Sequence, residues 1–223
     1  MPLISLNNIS KSYSIDGKSL EVLKSITLDI EPGTCYAVIG PSGAGKSTLL
    51  HMMGLLDKPS AGDIYLEGKK ASALSAYELA RIRNRSIGFV FQNFHLIPEL
   101  TALENILLPA LLKKSKKIEA EKKAYSLLEK MNLKNRENHH PTQLSGGEQQ
   151  RICICRALIN SPRIILADEP TGNLDSQNAH AVESLLESLA LEENVSLVVV
   201  THNESLAKRA NKIIALLDGK IVN

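Results

Sequence analysis

The 223 residues suffice for one large domain, or for one domain carrying a lobed insertion, and 43% hydrophobic with 22% charged residues is an ordinary globular composition. A formal net charge of +2 is too small to argue for nucleic acid or an anionic membrane, and with no Trp and 4% aromatic residues there is no stacking platform for single strands. No apolar run approaches the ~18 residues of a membrane span, the opening MPLISLNNIS lacks the basic start and apolar core of a signal peptide, and the three cysteines, read as reduced, make a cytosolic chain the expectation.

Residues 3–9 alternate apolar and polar, as a half-buried strand does. After the turn signal Asp16-Gly17, residues 20–30 (LEVLKSITLDI) alternate again, which predicts a small antiparallel sheet beside the main core. Tyr13 lies at the edge of that sheet. Its ring could stack on a purine or could be an ordinary surface-strand tyrosine, and the residues alone leave both open. Glu31-Pro32-Gly33 turns the chain into CYAVI, residues 35–39, an apolar β-prone run.

The next stretch, GPSGAGKST, fits the phosphate-binding pattern G-x-x-x-x-G-K-[ST]. Gly40, Pro41, Ser42, Gly43, Ala44 and Gly45 form a loop whose backbone N–H groups can curl around a polyphosphate. Lys46 adds a positive charge for the outer phosphates, Ser47 offers a hard oxygen suited to Mg²⁺, and Thr48 leads into a helix over residues 47–53. Residues 58–63 are expected to end that helix.

Residues 64–66 read as a strand and Glu67-Gly68 as a turn; residues 76–83 read as a short helix. IGFVF, residues 87–91, is a strand that delivers Gln92, whose amide carries a donor and an acceptor and suits contact with a metal or a water. Phe94, Leu96, Ile97 and Pro98 then make an apolar patch in a loop. Thr101 and Glu104 have capping-box spacing for a helix, and a second amphipathic helix covers residues 118–131. Between them the basic run Lys113-Lys114-Ser115-Lys116-Lys117 reads as a solvated junction. Residues 96–140 thus form an inserted helical subdomain, with residues 1–95 and 141–223 as the nucleotide core and its β subdomain. His139-His140 has no ligand spacing around it that would suit a metal.

LSGGEQ, residues 144–149, opens a helix that runs to about residue 160. Ser145, Gly146 and Gly147 give its start unpaired N–H groups and little bulk, a second anion cradle, with Glu148 in the same candidate site, in a chain whose first cradle already wraps one nucleotide. That implies a second ligand, or a nucleotide held by another copy. Cys153 and Cys155, two apart on this helix, cannot face each other; with Cys35 they are read as reduced, small buried residues. IILADEP places Asp168 at the end of a buried strand as an orienter of Mg²⁺, with Glu169 one residue on as a base for an attacking water. Asp175 can cap the helix through residue 191. Residues 197–200 form the last core strand, and His202 follows it where ligand sites of α/β sheets lie. Residues 213–217 and 220–222 close the chain as a hairpin.

In this order the motifs resemble, over essentially the whole chain, the nucleotide-binding domain of ATP-binding-cassette (ABC) transporters: an α/β fold with a P-loop NTPase core and mixed sheet, an antiparallel β subdomain and an inserted helical subdomain. The resemblance makes Tyr13 the adenine-stacking aromatic, residues 40–48 Walker A, Gln92 the Q-loop, residues 144–149 the signature, Asp168 and Glu169 Walker B with its catalytic glutamate, Asn173-Leu174-Asp175 the D-loop and His202 the switch histidine. It implies ATP and Mg²⁺, with Ser47, Gln92 and Asp168 toward the metal. It also implies a head-to-tail dimer with each ATP between Walker A of one copy and the signature of the other, and separate membrane permease subunits docking near Phe94, Leu96, Ile97 and Pro98. Residues 91–98, 100–105 and 167–175 look like the bacterial lipoprotein-releasing and macrolide-exporting branch, which works from the cytoplasmic face of the membrane. Cys153 and Cys155 stand where relatives more often carry alanine or another small residue. A soluble ABC ATPase of chromosome maintenance would insert a long coiled coil before the signature, and none is present; a translation-type relative would usually carry two cassettes. A small-molecule kinase would leave LSGGEQ and His202 unexplained.

Overall fold

The computed structural model describes residues 1–223 apart from Asp16, Lys114 and Asn223 and the side chains of Ile15, Gln177 and Leu189. The expected turn at Asp16 and the Lys114 position of the basic run therefore lie outside the described residues. The chain divides into two compact units, Met1–Arg83 with Ser196–Asn223, and Asn84–Val195.

The first unit holds an antiparallel sheet in the order β2-β1-β4-β5, from β2 (Lys18–Ile30), β1 (Ile4–Ile15), β4 (Ala61–Leu66) and β5 (Lys69–Lys70). β1 is longer than the alternation over residues 3–9 suggests. A bulge intervenes between Leu6 and Ile9, with Asn8 in the left-handed region at φ 48°. Ile4 and Leu6 are buried before it, Ile9 and Lys11 after it. One extra residue swaps the inward face, so the alternation loses phase at the bulge although the strand continues. The Glu67-Gly68 turn joins β4 to β5 with both residues at positive φ.

Beside it, β3 (Cys35–Ile39) pairs in parallel with β8 (Ser196–Val200) on one side and β9 (Lys212–Leu217) on the other. All of β8 is buried, as a central parallel strand should be. β8 is thus not the last core strand: β9 extends the parallel sheet before turning back into β10 (Lys220–Val222). Only Ile214 and Leu216 of β9 are buried, so its sequence reads as an arm of the closing hairpin, which β9 and β10 do form. Helix α1 (Lys46–Met53) follows β3 and stops at Gly54, several residues before the expected end. α2 (Ala76–Ser86) and α7 (Glu204–Arg209) complete the helices that begin in this unit.

In the second unit β6 (Ile87–Phe91) lies parallel to β7 (Ile164–Asp168). Helix α5 (Gly146–Leu158) is its axis: α3 (Ala102–Leu112), α4 (Lys117–Lys130) and α6 (Ser176–Glu192) all pack on it, and its buried residues run round the whole helix. α3 begins at the expected capping box, Thr101 with Glu104. Among the described residues no helix is long and apolar enough to cross a membrane.

Candidate nucleotide site and signature helix

In the first unit the loop after β3 is built to bend. Gly40 has φ 150°, and a Cβ there would sit 2.1 Å from the Leu216 carbonyl oxygen of β9, so no other residue fits without moving a core strand. Lys46 is 6% exposed and its ammonium donates to the carbonyls of Gly40 and Pro41, each at 3.0 Å. The charge is held at the loop itself. Helix α1 starts with Gly45 as N-cap, has no side-chain cap and carries no acidic residue in its first turn. Its positive dipole end therefore favours an anion. Ser47 is exposed and Thr48 half-buried at this end. These features fit a polyphosphate. His202 is exposed just after β8 and lines, with Gly40 and Thr201, a cleft of about 340 Å³. Tyr13 is half-buried, and its hydroxyl donates to Asp57 at 3.1 Å.

The second unit gathers the other motifs. The signature helix does not begin with unpaired N–H groups throughout, as its glycines suggest. Ser145 Oγ accepts from the Glu148 N–H, and the Glu148 carboxylate accepts from the Ser145 N–H at 2.8 Å. Ser-x-x-Glu is the capping-box spacing recognised at Thr101, and here the glycines between masked it. The start of α5 thus carries a carboxylate of its own. Arg136 Nε donates to Glu148 at 2.7 Å; this bond above all, with the Ser145 N–H, holds the Glu148 carboxyl down at about 2. Nothing in the bare sequence points to Arg136, which lies twelve residues upstream in a loop. Gly147 has a reason of its own: a Cβ would come 2.9 Å from Asn178 Oδ1 on α6.

Asp168 ends β7, and Glu169 beside it turns to φ 43°, so the backbone leaves strand geometry between the two acids. Both are half-buried. Such a conformation costs a non-glycine residue about 1 kcal/mol or more and persists where the surroundings fix it. Gln92 donates its amide to Asn173 Oδ1 at 3.2 Å, while Asn173 donates to the Gln92 carbonyl at 3.1 Å. In this structure the Q-loop and D-loop residues hold each other, a link the sequence does not announce. Asp175 caps α6 as expected, accepting from the Asn178 N–H at 3.0 Å.

The apolar loop is pinned from below. Arg156 of α5 donates to the carbonyls of His95 and Phe94 at 2.6 and 2.7 Å, and the Cys153 thiol donates to Phe94 O at 3.0 Å. Buried Asn105 accepts from the Ile97 N–H and donates to carbonyls of Ile97, Leu100 and Thr101. Ile97 and Pro98 are left exposed, Phe94 and Leu96 half-buried. Cys153 and Cys155 are fully buried, as expected, and that burial pushes the Cys153 thiol up to about 12 and raises the Cys155 thiol as well. Cys35 is only half-buried, contrary to expectation, because it opens the strand rather than sitting in its middle.

Residues 23–172 match the ABC transporter family. The chain is 43% identical over 221 residues to the lipoprotein-releasing system ATP-binding protein LolD of Myxococcus xanthus, covering 99% of each. It is 49% identical over 220 residues to an uncharacterized ABC transporter ATP-binding protein of Methanocaldococcus jannaschii, covering 99% of this chain and 98% of the other. Among solved structures, the dimeric ABC transporter cassette MJ0796 superimposes with a TM-score of 0.91 at 44% identity, over 99% of this chain and 97% of that one. The same cassette has been seen as a dimer in a post-hydrolysis state bound to ADP and Pi. With its phosphate loop, signature helix and adjacent acids in family order, the chain belongs to the ABC transporter family as an ATP-binding cassette.

Proposed function

We propose that this chain is the ATP-hydrolysing subunit of a membrane transporter of the lipoprotein-releasing type, working at the cytoplasmic face of the inner membrane. The observation that carries the reading is the start of α1: a helix without a capping side chain, behind a glycine loop whose own carbonyls hold a buried ammonium. On binding ATP, Lys46 exchanges those two carbonyls for phosphate oxygens, while the loop from Gly40 to Thr48 supplies N–H donors. Tyr13 takes the adenine. Ser47, Gln92 and Asp168 are assigned to Mg²⁺, which when bound offsets charge on the outer phosphates. Glu169 takes the proton of the attacking water, and His202 beyond β8 meets the outer phosphate.

The capped start of α5, with Ser145, Gly146, Gly147 and Glu148, is assigned to the ATP of a second copy, in a dimer like that of the cassette MJ0796. Residues 96–140 act as the helical subdomain of this cassette. Phe94, Leu96, Ile97 and Pro98 receive the membrane permease subunits. The exposure of Ile97 and Pro98 on a loop fixed by Arg156 and Asn105 supports this. Purified Lys46→Ala is expected to lose ATP hydrolysis and to bind ATP at least about tenfold more weakly, since a bond to a charged group is worth about 1.5–3 kcal/mol. Turnover near wild type would remove the phosphate-loop assignment.

A further inference from the structure

Lys11 is a charged residue of β1 that is 9% exposed. Its ammonium makes an ion pair with Asp57 Oδ2 at 2.7 Å, donates to the Lys58 carbonyl at 2.8 Å and lies 4.8 Å from the centre of the Tyr13 ring. The Tyr13 hydroxyl donates to the same Asp57 oxygen at 3.1 Å. The other oxygen, Asp57 Oδ1, accepts from the Lys58 N–H at 2.6 Å. The phenol also meets the Thr48 hydroxyl, at the end of the phosphate loop. Fold stability alone does not call for this cluster, because an ion pair whose carboxylate is 35% exposed contributes little. What the arrangement does fix is one aromatic ring. Its hydroxyl is tied to a carboxylate that three donors hold, and a cation sits over the ring.

We propose that Lys11 and Asp57 are positioning residues for the nucleobase: they set the height and tilt of the Tyr13 ring beside the phosphate loop before ATP arrives. This rests on the reading that Tyr13 stacks on adenine. Neither residue touches the reacting phosphates. Inorganic tripolyphosphate, which has no base, occupies the phosphate loop without using the ring, and it separates positioning of the base from general damage.

The test is steady-state ATP hydrolysis by Lys11→Met, Asp57→Asn, Tyr13→Ala and the double variant Lys11→Met/Tyr13→Ala, with inhibition by tripolyphosphate measured on each. Base–aromatic stacking lost by alanine substitution corresponds to about a five- to hundredfold rise in KM for Tyr13→Ala. Lys11→Met and Asp57→Asn are expected to raise KM about three- to tenfold, a part of that loss, with kcat within about twofold of wild type. Their tripolyphosphate inhibition constants stay at the wild-type value, and Lys11→Met adds nothing once Tyr13 is gone. Tyr13→Phe, which keeps the ring and loses the anchor to Asp57, falls between wild type and Tyr13→Ala. The proposal is overturned if Tyr13→Ala raises KM and Lys11→Met does not, or if the Lys11→Met effect persists undiminished without Tyr13. A parallel loss of tripolyphosphate binding and kcat in Lys11→Met also overturns it, since that is general structural damage. If Tyr13→Ala itself leaves KM unchanged, it is the stacking assignment that falls, and the positioning role with it.

Discussion

Replacing Asn105 by Ala should weaken the fold out of proportion to the size of the change. The side chain is fully buried. Its oxygen accepts from the Ile97 N–H at 2.8 Å, and its amide nitrogen reaches the carbonyls of Ile97, Leu100 and Thr101 at 3.0–3.1 Å. The amide has only two hydrogens, so three acceptors share two donors and about three net bonds are at stake. At about 0.5–1.5 kcal/mol each, the loss is about 2–4 kcal/mol. For a chain of this length about 2–4 °C of Tm goes with each kcal/mol, so thermal unfolding should move down by about 5–15 °C. Asn105→Asp is the sharper variant. It keeps the acceptor for Ile97 but turns an oxygen toward carbonyls, and should be at least as damaging as Ala. A Tm for Asn105→Ala within about 1 °C of wild type, or an Asn105→Asp variant as stable as wild type, would refute the idea that this amide holds the 94–98 loop in place.

Arg136→Met removes the main partner of Glu148 and should cost about 1 kcal/mol at neutral pH, a value lowered from that of a buried pair because the arginine is 43% exposed. The carboxyl of Glu148 is depressed from 4.5 to about 2, so the stability it contributes is present above about pH 4.5 and is lost as pH falls toward 2. The Tm difference between wild type and Arg136→Met should therefore shrink across that window; a difference that grows on acidification contradicts the pairing. Ile97→Asp should leave ATP hydrolysis by the isolated chain within about twofold, because Ile97 is 37% exposed and the charge stays solvated. The same variant should lose co-purification with its membrane subunits, and retained co-purification would move the docking surface elsewhere.

The parts of this molecule that were legible in the sequence are those written in a local pattern. The phosphate loop, the Thr101–Glu104 box, β6 and the Asp175 cap each depend on residues within a few positions of one another. What the sequence hid depends on distance or on a broken rhythm. β1 ran on past Asn8 because a bulge reversed its inward face, and the role of Lys11 stayed hidden beyond that bulge because its partner Asp57 is far along the chain. The cap on the signature helix was masked by the two glycines that made the same residues look like a bare cradle. Arg136, Asn105 and Arg156 serve backbone groups or acids that no motif names. The mutual hold of Gln92 and Asn173 spans 81 positions and has no periodicity to betray it.

The central claim is that ATP is closed between the phosphate loop of one copy and the capped signature helix of another, and that Glu169 ends that state. Glu169→Gln tests it directly, because the amide keeps the shape of the side chain but cannot take a proton from water. Light scattering coupled to size exclusion should show Glu169→Gln at twice the monomer mass with ATP and at the monomer mass with ADP. Adding Ser145→Arg, which costs the helix cap about 1 kcal/mol but leaves the chain folded, should return the ATP form to monomer by blocking close approach of the second copy. A Glu169→Gln chain that stays monomeric in saturating ATP, or a dimer that forms equally well with arginine at position 145, would contradict the account.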